Sequence, residues 1–335
     1  MREICDYCFR MFLPEYTITS KIIRNISDAE YARAVIENTP ILPSWEKQLK
    51  KETRIRTVSA LLKLSGITFD ASEVKKYVDG LLSNVSPEMS NVSEALDELA
   101  KSSRANTLDE DRLKHLYETV SGTKRSAYRG KRIEGKVSPE EILAKLVQFF
   151  DWLATRNAME SHPLIIAAIV KACLEIVQPF ENYNQIASSL MAEIYLKTSG
   201  YHFGGYVSII DYYQKSGGEY EQLINSLGLR GIDFTEWVEY FTEGFAIESM
   251  NAKEKVKLLS RDTKVAKATG RAKLSDRQER IVEYLQDYSI LQNKDFGRVF
   301  PDVSEDTVLR QLKVLMDRGI VVKRGSTKSS RYELK

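Results

Sequence analysis

The segment from Gln178 to Leu190 is polar and looks like an active-site loop, but it holds few groups that could do chemistry. Glu181 is its only carboxylate, and therefore its only candidate acid or metal ligand. The amide of Gln178 has no titratable proton near neutral pH, so it cannot act as a general base. The amide of Asn182 is a weaker ligand than a carboxylate for a hard cation. The segment therefore offers one carboxylate and several amides as its candidate chemical groups.

Two apolar helices are predicted to position this loop. His162-Pro163 begins the first, whose apolar pattern is so wide that we expect burial on most sides; it contains Leu164, Ile165, Ala168, Ile169, Cys173 and Val177. Gln178-Pro179 ends it. Apolar residues then return at helical spacing, at Ile186, Leu190, Met191, Ile194 and Tyr195. A further helix is predicted behind Ser138-Pro139, where the serine can cap and the proline can open the first turn.

The loop resembles the signature of the Fic (Fido) family of nucleotidyl transferases, His-Pro-Phe-x-Asp/Glu-Gly-Asn-Gly-Arg-x-x-Arg. Pro179, Phe180 and Asn184 match it. Six positions depart: Gln178 replaces the histidine, Asn182 the acidic residue, Tyr183 and Gln185 the glycines, and Ile186 and Ser189 the arginines. Flanking segments extend the resemblance over roughly residues 55 to 250, namely His162-Pro163-Leu164, 207–210, 219–223 and 234–241. The resemblance implies a mainly α Fic-type helical domain with a possible short β-hairpin flap.

The family's reaction shows what these substitutions remove. In a working member, the histidine takes a proton from a target hydroxyl, which attacks the α-phosphorus of ATP, and the acidic residue helps to hold a divalent cation. The glycines let backbone N–H groups approach the phosphates, and the arginines neutralise phosphate charge. We therefore predict a pseudoenzyme without catalytic residues or a cofactor. The alternative is a divergent, AMPylation-like transferase that uses ATP and Mg²⁺, with Gln178 orienting the target and Glu181 as acid or metal ligand.

Many family members carry an inhibitory helix with a Ser/Thr-x-x-x-Glu-Gly/Asn motif. The matching segment is Leu61 to Gly66, in which Leu61 and Ser65 replace the serine and the glutamate. This alignment rests on Gly66-Ile67, and the segment could equally be an amphipathic helix that ends at Gly66. His162 lies a whole helix before the loop, so we interpret it as a helix-start residue rather than as a base.

The C-terminal quarter differs in charge from the rest of the chain. Residues 251 to 335 hold 20 Lys and Arg against 12 Asp and Glu, a net charge of +8, whereas the whole chain is +2. After a basic linker or helix over 251–273, the chain from Leu274 resembles the winged helix-turn-helix domain that often follows bacterial Fic domains. Three helices are predicted, the first capped by Ser275, the second over 293–300 and the third capped by Ser304. Two strands, 320–323 and 331–334, would flank a wing over 324–330.

This domain is predicted to bind DNA. The third helix would present Thr307, Arg310, Lys313 and Arg318 to the major groove, and the wing would bring Lys323, Arg324, Lys328 and Arg331 to phosphates. Glu305 and Asp306 oppose this prediction because carboxylates at the groove would repel phosphate. Winged helices also act as dimerisation or protein-docking modules, so a homodimer is an alternative.

Composition limits the remaining classes. A chain of 335 residues with 43% hydrophobic and 29% charged residues predicts two or three globular domains, here 55–250 and 274–335 with an N-terminal extension over 1–54. No apolar run is long enough for a bilayer, and a cytoplasmic location is expected. Cys5 and Cys8 have the spacing of half a zinc site but lack a second pair nearby, so we predict ordinary thiols and no metal. The overall prediction is a bacterial transcriptional or signalling regulator whose cleft could dock a protein or a small ligand.

Overall fold

A computed structural model of the chain describes residues 14–101, 108–216, 218–227, 233–268, 274–325 and 330–335, with the backbone alone at 261–268. The Cys5 and Cys8 prediction lies outside these residues. The described chain is mainly helical, which confirms the predicted α class. It divides into two compact units, one containing Glu52–Lys253 with the chain before Asn38, and one containing Asn38–Lys51 with Glu254–Lys335.

The helices are numbered in chain order. The first six are α1 Ser20–Asn38, α2 Pro43–Leu64, α3 Ala71–Val78, α4 Pro87–Lys101, α5 Glu110–Ser121 and α6 Ile142–Leu153. The next six are α7 Arg156–Glu160, α8 Pro163–Val177, α9 Asn184–Thr198, α10 Ile209–Lys215, α11 Glu219–Ser226 and α12 Thr235–Ala268. The C-terminal elements are α13 Asp276–Tyr288, β1 Leu291–Gln292, α14 Phe296–Val299, α15 Glu305–Asp317, β2 Val321–Arg324 and β3 Arg331–Leu334.

Helix α8 is the centre of the first unit. Every residue from Leu164 to Val177 is buried, as its wide apolar pattern predicts. Helix α9 packs against α8, α4 and α5. The indole N–H of Trp237 donates to the backbone oxygen of Ala168 at 2.7 Å, which joins α12 to α8. The loop from Gln178 to Tyr183 is therefore held at both ends by helices of the core.

His162 caps the start of α8, as the sequence predicts. Its Nδ1 accepts a hydrogen bond from the backbone N–H of Leu164 at 3.3 Å, so Nε2 carries the proton of the neutral ring. That Nε2 lies 2.8 Å from the hydroxyl of Tyr201, which donates to the Glu30 carboxylate. Burial lowers the pKa of His162, Glu30 opposes the shift, and Arg33 adds to it. The capping bond thus requires the neutral histidine.

Acidification is expected to weaken this cap. The folded-state pKa is depressed, so the stabilisation is present above the unfolded pKa of about 6.5 and is lost as pH falls from there through the folded pKa. The loss is at most about 1.4 kcal/mol at pH 5.5. His162→Asn keeps a capping oxygen but no titrating ring. Urea unfolding at pH 7.5 and 5.5 should show a smaller pH difference in this variant, and an unchanged difference contradicts the assignment.

The predicted hairpin flap is not formed among the described residues. The segment between α5 and α6 contains no strand, and the one isolated bridge of the first unit pairs Glu15 with Asp233. The reason is the position of Arg129, whose backbone N–H donates to the oxygen of Pro179 at 2.9 Å. Its guanidinium binds the carbonyl oxygens of Lys131 and Val137 in the same segment. These carbonyl groups are therefore not available to a hairpin ladder.

The second unit combines α13 to α15 with a three-stranded antiparallel sheet in the order β1-β3-β2. Leu291 pairs with Tyr332, and Val321 pairs with Leu334. The core is apolar and contains Ile281, Leu285, Phe296, Leu312, Leu315 and Val321. Ser275 caps α13 in a capping box with Gln278, as predicted for this serine. Strand β1 was not predicted, because two residues are too short to show an alternating pattern.

Two boundaries of this unit differ from the prediction. The second helix was expected over 293–300, but the chain forms a 3₁₀ turn over Asn293–Asp295 before α14 Phe296–Val299. The first predicted strand begins one residue later than expected, at Val321, because Gly319 ends the helical region with a φ of 68° and the N–H of Ile320 still bonds to Leu315. Within the same unit, Lys51 forms an ion pair with Asp287.

Candidate functional site

The loop begins and ends with a left-handed residue. Gln178 has φ 41° and ψ 67°, and its N–H donates to the oxygen of Leu174 at 2.8 Å. Tyr183, at the N-terminus of α9, has φ 54° and ψ 14°. This conformation favours glycine and costs other residues about 1–2 kcal/mol. Tyr183 stands where the resembled signature has a glycine, so the chain keeps a backbone suited to glycine while carrying a large side chain.

The residues that match the signature hold the backbone of the loop. The Asn184 side chain accepts a hydrogen bond from the N–H of Phe180 at 2.9 Å and donates to the oxygen of the same residue at 2.7 Å. The ring of Phe180 is fully buried and stacks on Tyr117, with ring centroids 3.9 Å apart. Asn184 and Phe180 therefore fix the turn from within, which explains their presence without any catalytic role.

Tyr117 also orients one amide of the loop. Its hydroxyl donates to Oδ1 of Asn182 at 3.1 Å. Burial raises the pKa of Tyr117, and the nearby carboxylate of Glu181 adds to the shift, so the hydroxyl remains a donor. Asn182 stands at the acidic position of the signature. Its oxygen, the atom that could approach a cation, already accepts one hydrogen bond from this phenol.

Arg129 is the first functional residue that sequence reasoning missed. Its side chain is only 2% exposed, and its N–H groups donate to four backbone oxygens, those of Lys131, Val137, Val177 and Gln178. Two of these oxygens belong to the C-terminal end of α8, the negative end of the helix dipole. Burial lowers the pKa of the guanidinium from its ordinary value. Arg129 thus fixes the point at which α8 passes into the loop.

A buried ion pair lies behind the loop. Lys171 and Glu175, one turn apart on α8, are both fully buried, with Nζ 3.1 Å from Oε1. Nζ also donates to the hydroxyls of Ser188 and Ser189 on α9, at 3.1 and 3.0 Å. The sequence shows these two residues only as interruptions of an apolar helix. Burial lowers the pKa of Lys171, while Glu175 opposes the shift.

Ser189 is buried in the core and does not line the cleft. It stands at the second arginine position of the signature, but it is 2% exposed and its hydroxyl donates to the oxygen of Gln185 at 2.6 Å. Ile186, at the first arginine position, is fully buried. Both positions therefore face the core in this chain and contribute no positive charge to the loop.

A cleft of about 400 Å³ lies between the loop and the end of α2. It is lined by Leu64, Ser65, Ile67, Gln178, Asn182, Tyr183, Asn184 and Gln185. The five predicted loop residues are thus brought together, whereas Glu181 is exposed and Ser189 is buried below. In the segment compared with the inhibitory helix, Ser65 reaches the cleft and Leu61 lies in the core. No lining side chain is an acid, a histidine, a lysine or an arginine.

Among the described residues, no three histidine, cysteine, aspartate or glutamate side chains gather in a way that could hold a metal ion. In the same part of the chain, no helix combines the length and apolar character needed to cross a membrane.

The predicted DNA-facing residues of the second unit occupy α15 and the strands. Arg310, Lys313 and Arg318 are exposed, whereas Thr307 is partly buried and its hydroxyl lies 2.9 Å from that of Ser304 at the start of α15. In the strands, the guanidinium groups of Arg324 and Arg331 lie 3.4 and 3.1 Å from the Glu333 carboxylate. Exposed Lys323 lies over the ring of Tyr332. Lys328 is outside the described residues.

Solved structures similar to this chain are Fic proteins. A Fic family protein from Desulfovibrio desulfuricans matches with a TM-score of 0.61 and 17% identity over 96% of this chain and 98% of that chain. A Fic domain containing signaling protein from Bacteroides thetaiotaomicron matches with a TM-score of 0.53 and 18% identity, over 71% of this chain and 98% of its own. Residues 134–508 of Fic-1 from C. elegans match with a TM-score of 0.57 and 17% identity, over 73% of this chain and 74% of that chain.

The sequence comparisons add no family assignment. No protein-family model matches the chain, and no curated protein matches it. At identities below one fifth, likeness to solved structures shows the fold alone. The chain has the Fic fold, which confirms the fold predicted from the loop and its flanking segments.

Proposed function

We propose that this chain is a Fic-fold pseudoenzyme joined to a winged-helix DNA-binding module and that it acts as a transcriptional or signalling regulator. The lining of the cleft supports the pseudoenzyme part of this proposal. Eight side chains surround the site, and none can remove a proton at neutral pH or neutralise a phosphate. The first step of nucleotidyl transfer needs a base, and its charge development needs cations or a metal.

Two buried cations contact the loop or the helix that follows it, and neither can replace the lost arginines. The guanidinium of Arg129 is bound by four carbonyl oxygens, and the ammonium of Lys171 is enclosed with Glu175 and two serine hydroxyls. Both groups are buried. Moving either one to a nucleotide would leave several polar partners unsatisfied, each at a cost of about 1–3 kcal/mol. Both cations therefore stabilise the loop and its flanking helices.

Loss of transfer is tested with radiolabelled ATP, CTP and GTP, each with Mg²⁺, and with a protein lysate as target. We expect no labelled protein. Label that disappears in Glu181→Ala would support the alternative transferase, because Glu181 is the only carboxylate of the loop.

The arrangement of the second unit supports the DNA-binding part of the proposal. Three helices precede a β2–β3 hairpin, with a third strand at β1, an order typical of a winged helix-turn-helix. Arg310 and Lys313 lie exposed on one face of α15, opposite the buried Val308, Leu312 and Leu315. This face is available to a groove, while the paired strands would lie against neighbouring phosphates.

The charges of this unit predict that two variants change DNA affinity in opposite directions. Arg310→Ala with Lys313→Ala removes two cations, and it should weaken DNA binding and reduce the slope of log K against log salt by about 2. Glu333→Gln removes the carboxylate shared by Arg324 and Arg331, and it should strengthen binding. Gel shifts over a salt series measure both. The control is Lys75→Ala with Lys76→Ala in the first unit, and equal effects of the two double variants contradict the proposal.

A further inference from the structure

We infer that the cleft binds a small uncharged molecule that presents an amide-type donor–acceptor edge, as a nucleoside base or a primary carboxamide does. The inference rests on the proposed function in one respect, namely that the cleft no longer handles nucleotide phosphates. It adds the chemical class of ligand that replaces them.

The cleft gathers polar atoms that the protein itself leaves unused. Among the described residues, the side-chain amides of Gln178 and Gln185 have no hydrogen-bond partner. Ser65 Oγ is buried and also lacks one. Asn182 accepts from Tyr117 through Oδ1, which leaves its NH₂ group available. Of these groups, the buried hydroxyl of Ser65 would gain most from a ligand partner, whereas the more exposed amides would exchange hydrogen bonds with water for hydrogen bonds with the ligand.

These groups favour a ligand whose hydrogen-bonding edge carries no charge. A primary amide offers donors and an acceptor side by side, and it pairs with an edge that offers the complementary acceptor and donor, as Asn and Gln do with adenine. Three such amides and one hydroxyl face the same 400 Å³ space. Leu64 and Ile67 add apolar surface for the flat face of a ring. The lining is therefore mainly polar and uncharged, with a small apolar area at one side.

The same surroundings disfavour an anion. Tyr183 and Gln185 occupy the glycine positions and place side chains along the cleft, where backbone N–H groups would otherwise approach phosphate oxygens. The exposed carboxylate of Glu181 adds negative charge to the loop. No lysine or arginine lines the cleft to offset that charge. A phosphate would therefore lose its hydration without gaining a cation.

Matched ligand pairs test the inference. Adenosine and AMP, uridine and UMP, and nicotinamide and nicotinate each differ by one anionic group, and ligand-observed NMR titration of the full chain gives each Kd. We expect saturable binding of the uncharged member of at least one pair, at least about tenfold tighter than its anionic partner. Gln185→Leu should weaken this binding about tenfold, because one amide pair is removed. Gln222→Leu, on an exposed face of α11, should leave it unchanged.

Three results overturn the inference: no uncharged probe binds, the anionic probes bind as tightly, or Gln185→Leu has no more effect than Gln222→Leu. Ser65→Ala provides a second variant that removes one hydroxyl with little change in volume, and it should weaken the same probe. The titrations measure binding alone, so a detected transfer reaction, which contradicts the proposed function, is a separate result from failure of the uncharged probes.

Discussion

Arg129→Met is expected to lower the free energy of unfolding by about 3 kcal/mol or more. Methionine retains much of the aliphatic volume of the arginine but has no N–H donor. The four carbonyl oxygens that the guanidinium binds would stay in a site that is only 2% exposed, where water cannot easily replace it. Because two of these oxygens end α8, the start of the loop should loosen at the same time.

Arg132→Met is the matched control for this experiment. Arg132 lies three residues away in the same segment, its side chain is 76% exposed, and its partner Glu140 is 66% exposed. Exposed ion pairs contribute little, so the change should be within about 0.5 kcal/mol. Urea unfolding followed by circular dichroism measures both variants. Equal costs for the two substitutions would show that Arg129 does not hold the loop.

Lys171→Met should lower the free energy of unfolding by about 3–5 kcal/mol, at least as much as Arg129→Met. The substitution leaves the fully buried Glu175 carboxylate without its counter-charge. The double variant Lys171→Met with Glu175→Leu removes both charges and should recover much of this loss. The hydroxyls of Ser188 and Ser189 can then donate to backbone oxygens, as that of Ser189 already does to Gln185. A double-mutant cycle on unfolding free energies gives the coupling between the two charges.

The pair Arg156 and Glu160 on α7 is the control for that cycle. It has the same spacing of four residues, but its side chains are 89% and 64% exposed. Its coupling should be about 0.5 kcal/mol or less. A coupling between Lys171 and Glu175 as small as this one would contradict a buried pair that holds α8 and α9 together.

The fold was predictable from sequence because its signals are local or ordered along the chain. The apolar width of α8 predicts a buried helix, and Pro179, Phe180 and Asn184 identify the loop. Phe180 and Asn184 bond to each other within it. Phe180 and Asn184 hold the loop backbone without any charged group. A left-handed Tyr183 keeps the turn that glycine would make more easily.

The remainder depends on tertiary contacts that leave no periodic signal. Arg129 lies in a segment without helix or strand, and its partners are up to 49 positions away in the chain. Lys171 and Glu175 reach their serine partners only through the packing of α8 on α9. The unformed flap has the same cause, because Arg129 binds the carbonyl groups that a hairpin would need. Ser65 lines the cleft because the end of α2 packs near the loop. In the sequence, only the alignment with the inhibitory helix pointed to this residue.

A Fic fold without a base or a phosphate-binding cation is expected not to transfer nucleotides. The test is intact-mass spectrometry of the purified protein after incubation with each nucleoside triphosphate and Mg²⁺, with an active Fic transferase as positive control. We expect an unchanged mass in every sample. A mass increase equal to one nucleoside monophosphate, present in the unaltered chain and absent in Glu181→Ala, would contradict it.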